Sequence, residues 1–256
     1  MEYKTLNYEQ KDAIGILTLN RPKCLNAIND EMAEELEGFW MEKMYDLDTR
    51  VIILTGAGDR AFCAGLDMKE APQELVNLGS GAIYQFQTRI SRLLLLMRHV
   101  PQPIICAIHG YALGGGLSFA LGGDVRIITP EAKFAATYIN IGLGGADVGS
   151  SYLLPRQIGT GRAYEFLLTG DFMDADEALK LGFVSRVVSY DDLMPTAMEM
   201  AQKMVSKSPL GLRLTKEAIN QNIGAAGLEQ ALQMENRNQT LCIFANKMEK
   251  PSPISR

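Results

Sequence analysis

The amino-acid sequence predicts an α/β core followed by a helical region. Short apolar runs bounded by turn residues alternate with helical patterns in the first part of the chain, and helical patterns dominate from Ser151 onward. Of the 256 residues, 47% are hydrophobic and 21% are charged, which is typical of a protein with a sizeable packed core. Alternating strands and helices favour packed layers around a sheet, and the later helices form a region of their own.

The first predicted strand and helix lie within the first 45 residues. Residues 13–19 form a β-rich run that ends at the breaker Asn20-Arg21-Pro22. Asn29 or Asp30 can cap the helix that follows over residues 31–45, because their side chains accept hydrogen bonds from free N–H groups at a helix start. Apolar residues recur on one face of this helix: Met32, Leu36 and Trp40.

The other predicted strands are short and continuously apolar, which is typical of strands that are buried on both faces. They cover residues 51–54, 104–108 and 125–128, and a further strand over residues 62–65 ends in small residues. Residues 83–97 and 117–121 have helical character, and Pro101 and Pro103 end the longer of these helices.

The last part of the chain predicts helices separated by short turns. They cover residues 152–157, 161–168, 175–181, 192–206, 210–221 and 228–244. We therefore divide the chain into a core over residues 1–190 and a C-terminal helical region over residues 191–256.

Charge and cysteine usage exclude several classes of partner. The formal net charge is −5, whereas nucleic-acid binding needs a basic face. We expect no signal peptide and no membrane-spanning helix, since no apolar run is long enough. The histidines, His99 and His109, have no metal-ligand spacing. The sequence therefore predicts a cytoplasmic protein without a metal, and its reduced thiols are scattered: Cys24, Cys63, Cys106 and Cys242.

Two glycine-rich loops follow buried strands, at residues 62–67 and 108–116. Residues without bulk let a ligand approach the backbone, and the second loop also opens a helix, whose first N–H groups lack internal partners. Two such donors can stabilise an enolate or an oxyanion on a thioester carbonyl, at about 3–4 kcal/mol each. Ordinary strand-to-helix turns show the same pattern. A phosphate-binding loop is excluded because no Gly-Lys-Ser/Thr follows, and a third spaced glycine of the dinucleotide-binding motif is missing.

The two loops are part of a longer series of residue blocks that match a known family in order and spacing. With these blocks the sequence resembles the crotonase (enoyl-CoA hydratase/isomerase) superfamily across most of its length. The matching blocks are residues 20–22, 26–28, 61–67 and 107–116, then Asp124, Phe134, Gly142, residues 153–155, Gly159, and residues 161–163, 168–170, 175–178 and 182–184.

The resemblance implies a fold, an assembly and a substrate. The fold is a spiral of ββα turns with a C-terminal helical region used in trimerisation, and the assembly is a homotrimer or a dimer of trimers. The substrate is an acyl-CoA thioester, so coenzyme A enters as part of the substrate and no separate cofactor is expected.

The resemblance also implies which residues bind that substrate. The oxyanion hole comes from the N–H groups of Ala64 and Gly115. The adenosine end of CoA lies near residues 23–27 and along residues 64–67, and Lys23 is either a phosphate partner or a solvated surface lysine. The other implied contacts are Ala27, Gly65, Leu66, Asp67 and Gly114.

The sequence departs from the family where a standard hydratase has two catalytic glutamates. Ser118 stands at the first of these positions and Tyr138 at the second. A hydroxyl and an ordinary phenol do not replace a carboxylate base near neutral pH, so a standard hydratase is disfavoured. Both side chains are predicted to line the substrate site, where Tyr138 either donates a hydrogen bond or only packs.

Asp147 is the candidate that replaces the missing carboxylates. In several superfamily members an aspartate in this loop carries chemistry. The alternative is that Asp147 caps the helix that begins near Ser150. His109 is expected to hold the glycine loop, and nothing in the spacing supports a Ser118–His109–Asp147 triad.

The sequence therefore predicts an acyl-CoA-processing enzyme that stabilises an enolate or oxyanion, with Asp147 as its acid/base group. Double-bond isomerisation, hydration of an unusual dienoyl or cyclic acyl-CoA, and C–C cleavage all remain open. The alternative from another class is a non-catalytic acyl-CoA-binding protein, which the loss of both glutamates favours and the presence of Asp147 disfavours.

Overall fold

The computed structural model describes residues 3–70 and 79–249, with side chains described as far as residue 247. Nine strands lie in these ranges: β1 Leu6–Lys11, β2 Ile14–Leu19, β3 Val51–Gly56, β4 Ala61–Cys63, β5 Ile104–Ile108, β6 Tyr111–Leu113, β7 Val125–Ile128, β8 Lys133–Ala135 and β9 Arg186–Val187.

Nine α-helices lie in the same part of the chain: α1 Asp30–Lys43, α2 Ser80–His99, α3 Gly115–Gly122, α4 Ser150–Ile158, α5 Thr160–Thr169, α6 Ala175–Lys180, α7 Tyr190–Val205, α8 Pro209–Asn222 and α9 Leu228–Glu249. The mixed α/β class predicted from the sequence is confirmed. Asn29 is the cap of α1, since its side chain accepts a hydrogen bond from the Met32 N–H at 3.0 Å.

The strands form two sheets. The larger has six strands in the order β1-β2-β3-β5-β7-β9, and the smaller has three in the order β4-β6-β8. Only the β1–β2 pair is antiparallel. The sequence did not predict β1, because only Leu6 of its six residues is fully buried and the run has no apolar stretch.

Apolar side chains cover both faces of the larger sheet. In β3, Ile52 and Leu54 point into the main core with α1 and α2, whereas Val51 and Ile53 point to the opposite face. This alternation follows from the two-residue period of a strand, and a strand that is buried on both faces therefore reads as continuously apolar.

Helix α7 covers the second face of that sheet. Its buried residues, Leu193, Ala197 and Ala201, pack against β3, β5 and the start of β2. Thus the predicted helical region from residue 191 begins inside a helix that packs on the core. The division at residue 190 and the trimerisation role stay predictions, and the outer ends of the two proposed domains, residues 1–2 and 250–256, lie outside the described residues.

None of the helices in residues 3–70 and 79–249 has the length and apolar character that a membrane span requires. The smaller sheet positions the two glycine-rich loops, because its strands β4 and β6 end at them. These loops lie side by side because β4 pairs with β6 in parallel.

Candidate active site

The first glycine-rich loop follows β4 and is held by the segment before α1. The Ala64 N–H donates to the Leu25 carbonyl at 3.0 Å. That hydrogen bond gives the predicted donor a partner inside the fold. The structure therefore does not support the Ala64 N–H as a donor to the substrate, because this N–H is already bonded to the Leu25 carbonyl and helps to fix the loop.

Leu66 carries an N–H group of this loop that points away from the segment before α1, which holds the loop in place. The flanking Gly65 carbonyl accepts from the Ile28 N–H at 2.7 Å, and the Asp67 N–H donates to the Ile28 carbonyl at 2.8 Å. In a parallel bridge of this kind, the residue between the two bonded neighbours directs its own N–H to the opposite side. Leu66 was predicted as a substrate contact but not as a donor.

The second glycine-rich loop opens α3, a helix whose residues are all buried. Gly115 is the first residue of this helix, so its N–H has no intrahelical acceptor and lies at the positive end of the helix dipole. The preceding Gly114 has φ of 50°, and its N–H donates to the Ala135 carbonyl at 2.9 Å. A glycine suits this position because φ is positive.

The two loops approach each other at Gly65 and Gly115. A β-carbon on Gly65, whose φ is +94°, would lie 3.2 Å from the Gly115 nitrogen. A β-carbon on Gly115 would lie 3.9 Å from the carbonyl carbon of Gly65, which is bonded to the Leu66 nitrogen. The backbone segments that carry the Leu66 and Gly115 N–H groups are therefore in close contact, which makes these two groups the candidates for one shared acceptor oxygen.

Ser118 and Tyr138, which stand where a hydratase has glutamates, are paired with each other. Their hydroxyl oxygens lie 3.1 Å apart, Ser118 is fully buried, and Tyr138 is 8% exposed. Burial raises the pKa of the Tyr138 phenol well above its usual value; the hydrogen bond with Ser118 opposes this and the Asp147 charge adds to it. The phenol is therefore a neutral hydrogen-bonding group in the physiological pH range.

Asp147 lies in the glycine-rich turn before α4. Its Oδ1 accepts hydrogen bonds from the Val148 N–H at 2.8 Å and from Nε2 of Gln87, a residue of α2. The Asp147 N–H donates to Ser150 Oγ at 3.0 Å. The residue at the N-cap of α4 is Gly149, which makes no side-chain capping bond, so Asp147 is not the cap of this helix.

The predicted CoA-binding segment consists of a turn held by Arg21. The Arg21 guanidinium donates to the Ala27 carbonyl at 2.6 Å and forms an ion pair with the buried Asp67 carboxylate at 2.9 Å. Asp67 thus stabilises the loop rather than offering a free charge. Lys23 lies exposed on the turn Pro22–Cys24. Its role toward a phosphate stays a prediction.

His109 occupies the loop without contacting the polar groups of the site. Its carbonyl accepts from the Phe62 N–H at 2.9 Å, which ties the second loop to β4. Its ring packs edge-on against Tyr190 at 5.5 Å, and burial lowers its pKa. Because Ser118 pairs with Tyr138, the arrangement contains no catalytic triad built from Ser118 and His109.

This geometry is typical of enzymes that hold a carbonyl oxygen between two backbone N–H groups. A family model described as enoyl-CoA hydratase/isomerase matches residues 9–252. The chain therefore belongs to the enoyl-CoA hydratase/isomerase family, the crotonase superfamily that the sequence resembles, and it is an acyl-CoA enzyme of that family.

Relatives and solved structures agree with this assignment. The probable enoyl-CoA hydratase of Mycobacterium leprae is 38% identical over 229 residues, which cover 88% of this chain and 78% of that protein. The enoyl-CoA hydratase structure from Bacillus anthracis has a TM-score of 0.87 at 34% identity and covers 93% of this chain and 90% of that one. A monofunctional enoyl-CoA isomerase from M. smegmatis is 36% identical, has a TM-score of 0.74 and covers 90% of this chain and 98% of that one.

The structure adds one polar residue that the sequence reasoning did not find. Gln87 contacts Asp147 although 60 residues separate them along the chain. Its only sequence signal is a polar residue on a predicted helix, which most surface helices also have. The contact depends on how α2 packs across the loop, and no local pattern encodes that packing.

Proposed function

We propose that this protein catalyses proton transfer next to the thioester carbonyl of an enoyl-CoA, and that its reaction is double-bond isomerisation. The supporting observation is the distribution of polar groups: one carboxylate, Asp147, lies in the loop, while Ser118 and Tyr138 pair with each other at 3.1 Å. A single carboxylate is enough for a reaction that removes a proton and returns it. Hydration by the two-glutamate mechanism is disfavoured, because both glutamate positions are occupied by residues that are not bases.

The Leu66 and Gly115 N–H groups are the proposed oxyanion hole. When Asp147 takes a proton from the α-carbon of the substrate, the electron pair moves into an enolate on the thioester oxygen. Two N–H donors near that oxygen lower the barrier, at about 3–4 kcal/mol for each donor. The enolate then recovers the proton at the γ-carbon, so that the double bond moves and no atom is gained or lost.

Hydration is the second candidate, and the name of the Mycobacterium leprae relative favours it. In that reaction Asp147 would take a proton from a water molecule as its hydroxide adds to the β-carbon, and the same two N–H groups would stabilise the enolate that forms. Asp147 would then return the proton to the α-carbon. The acyl group of the substrate is open in both cases.

A panel of 2-enoyl-, 3-enoyl- and dienoyl-CoA thioesters, followed by mass spectrometry in H2O and D2O, separates these reactions. Isomerisation leaves the mass unchanged in H2O and is detected by the change in absorbance as the double bond moves into conjugation with the thioester. In D2O it introduces deuterium to the extent that the proton on Asp147 exchanges with solvent before it returns, whereas hydration adds the mass of one water molecule. Hydrolytic C–C cleavage shortens the acyl chain. Binding of the thioesters without any turnover would contradict the proposal and favour a binding protein.

The assignment of the donors has its own test, Gly115→Pro. Proline removes the N–H outright and is tolerated in the first turn of a helix. We expect turnover of the substrate identified in the panel to fall by about 100- to 1000-fold. The thermal midpoint should fall as well, because a β-carbon at this position would lie 2.9 Å from Ile28 Cδ1 and that side chain must move. A folded variant with full activity would show that the oxyanion is held elsewhere.

A further inference from the structure

Helix α2 and the loop that carries Asp147 are in direct contact. The helix is anchored in the core by Ile90, Leu93 and Leu94, all buried. A β-carbon on Gly149, at the end of the loop, would overlap the Leu94 side chain. Gln87 lies seven residues before Leu94, two helical turns away, and therefore projects from the same side of α2. The packing that brings Leu94 onto Gly149 also brings Gln87 to Asp147.

The loop by itself holds Asp147 through short local bonds. The Val148 N–H donates to the carboxylate at 2.8 Å, and Val148 itself has a positive φ of 40°. A β-branched residue rarely adopts that conformation, so the turn needs external support. Within residues 3–70 and 79–247, the only side chain that supports the carboxylate from outside the loop is Gln87.

The two donors act on the same carboxylate oxygen. Gln87 Nε2 and the Val148 N–H both bond to Oδ1, and no described residue donates to Oδ2. The oxygen with free lone pairs is the one that can take a proton from a substrate. An amide donor is neutral, so it orients the carboxylate without the strong pairing that a guanidinium provides.

We propose that Gln87 is a positioning residue that orients the Asp147 carboxylate so that Oδ2 faces the substrate. This proposal rests on the proposed function, in which Asp147 transfers the proton. Gln87 itself touches neither the reacting atoms nor the thioester; it acts through the hydrogen bond to Oδ1. Misplacing a catalytic group by about 1 Å can cost on the order of 100-fold in rate.

The first experiment replaces Gln87 by Met and uses Gln85→Met as its matched control. Methionine keeps the length and helix propensity of glutamine but removes the donor. Gln85 lies on the same helix and is exposed. With the enoyl-CoA that the panel identifies, Gln87→Met should lower kcat by about 10- to 100-fold and leave KM within about threefold. Gln85→Met should change neither.

A double-mutant cycle with Asp147→Asn then separates positioning from any direct role. If Gln87 acts only through Asp147, Gln87→Met should change kcat by less than about twofold in the Asp147→Asn background. An equal loss in both backgrounds would overturn the proposal, because Gln87 would then act on the substrate or on the fold.

Gln87→Glu gives a readout that a merely structural role would not move. The introduced carboxyl can donate to Oδ1 only when it is protonated, so the ratio of variant to wild-type rate should rise as the pH falls. A ratio that is constant with pH would contradict the proposal, and this variant keeps the test open if the methionine variant folds poorly.

The possible failures are distinguishable. If the wild-type protein turns over none of the thioesters, or if Asp147→Asn turns over its substrate at the wild-type rate, the proposed function fails and the role of Gln87 fails with it. If Asp147→Asn is slow but Gln87→Met turns over at the wild-type rate, only the positioning role is wrong.

Discussion

Ser118 and Tyr138 form one group of polar residues in the candidate site and Asp147 forms another, and the two groups are held differently. Ser118 belongs to the fully buried helix α3, and its hydroxyl is paired with the phenol of Tyr138 at 3.1 Å. Asp147 belongs to a partly exposed loop with a strained neighbour, Val148, and its carboxylate accepts hydrogen bonds through one oxygen.

The comparison shows that the rigid part of the site and the reactive part need not coincide. Two neutral hydroxyl groups that satisfy each other can shape a pocket, but they supply no base. A carboxylate on a loop can move a proton only if other elements fix it. We therefore expect α3 to contribute shape and the oxyanion donor, and the Asp147 loop to contribute the chemistry.

The largest expected effect is the loss of turnover when Asp147, the residue on the loop, is replaced. Asp147→Asn keeps the shape and one acceptor oxygen but removes the base. Turnover should fall by at least about 100-fold, while acyl-CoA affinity and the thermal midpoint change little. Ser118→Ala is the matched variant in the other group, and it should keep turnover within about threefold. Single-turnover rates and calorimetric affinities check both variants, and equal losses would break the comparison.

Hydration of crotonyl-CoA is the second test, because it depends on the two positions that have lost their glutamates. We expect the wild-type protein to hydrate this substrate at least about 100-fold more slowly than an efficient enzyme, whose kcat exceeds about 1000 per second. Loss of absorbance of the conjugated thioester measures the rate. A fast reaction would show that Ser118 and Tyr138 do not limit hydration.

A pair of glycine substitutions tests the difference in rigidity. A β-carbon on Gly116 in α3 would overlap the Cys63 carbonyl oxygen, whereas a β-carbon on Gly144 in the loop would meet nothing within 4 Å. Gly116→Ala should therefore lower the free energy of unfolding by about 1–3 kcal/mol, and Gly144→Ala should change it by less than about 1 kcal/mol. Denaturant unfolding compares the two variants. Similar losses would mean that the loop is as tightly packed as α3.

The smallest expected effect is that of Tyr138→Phe. Burial raises the pKa of the phenol, so the group stays neutral as the pH rises and no activity depends on its ionisation. The variant should keep turnover within about threefold, lose about 0.5–1.5 kcal/mol of stability with the Ser118 hydrogen bond, and show the wild-type pH dependence up to pH 10 or so. A pH–rate profile measured on both proteins checks this. An alkaline limb that disappears in the variant would make Tyr138 an acid/base group.

Some features of the site could be read from residue order alone. Short apolar runs predicted the central strands, because a strand that is buried on both faces needs apolar residues at every position. A cap at Asn29 or Asp30 was also predicted, since a cap depends on a side chain and an N–H a few residues later, and the structure selects Asn29. The glycine-rich loops and the family resemblance located Gly115 at the start of α3.

Other features depended on contacts between distant segments. The predicted donor Ala64 bonds to Leu25, and the N–H that points away from the supporting segment is that of Leu66, two residues later. Which amide of a loop stays free depends on the segment that pairs with it, here at Ile28. That segment lies more than thirty residues away in sequence, so no local rule could distinguish the two amides.

The sequence by itself determined the fold class, the family and the absence of glutamates at positions 118 and 138, because each of these depends on residue identity and local spacing. Only the tertiary structure decided that Ser118 pairs with Tyr138, that Asp147 does not cap α4, and that Gln87 contacts the Asp147 carboxylate. Those outcomes depend on the packing of α2 and α3 around the loops. Packing is a property of many side chains at once, and it is not encoded in any one segment.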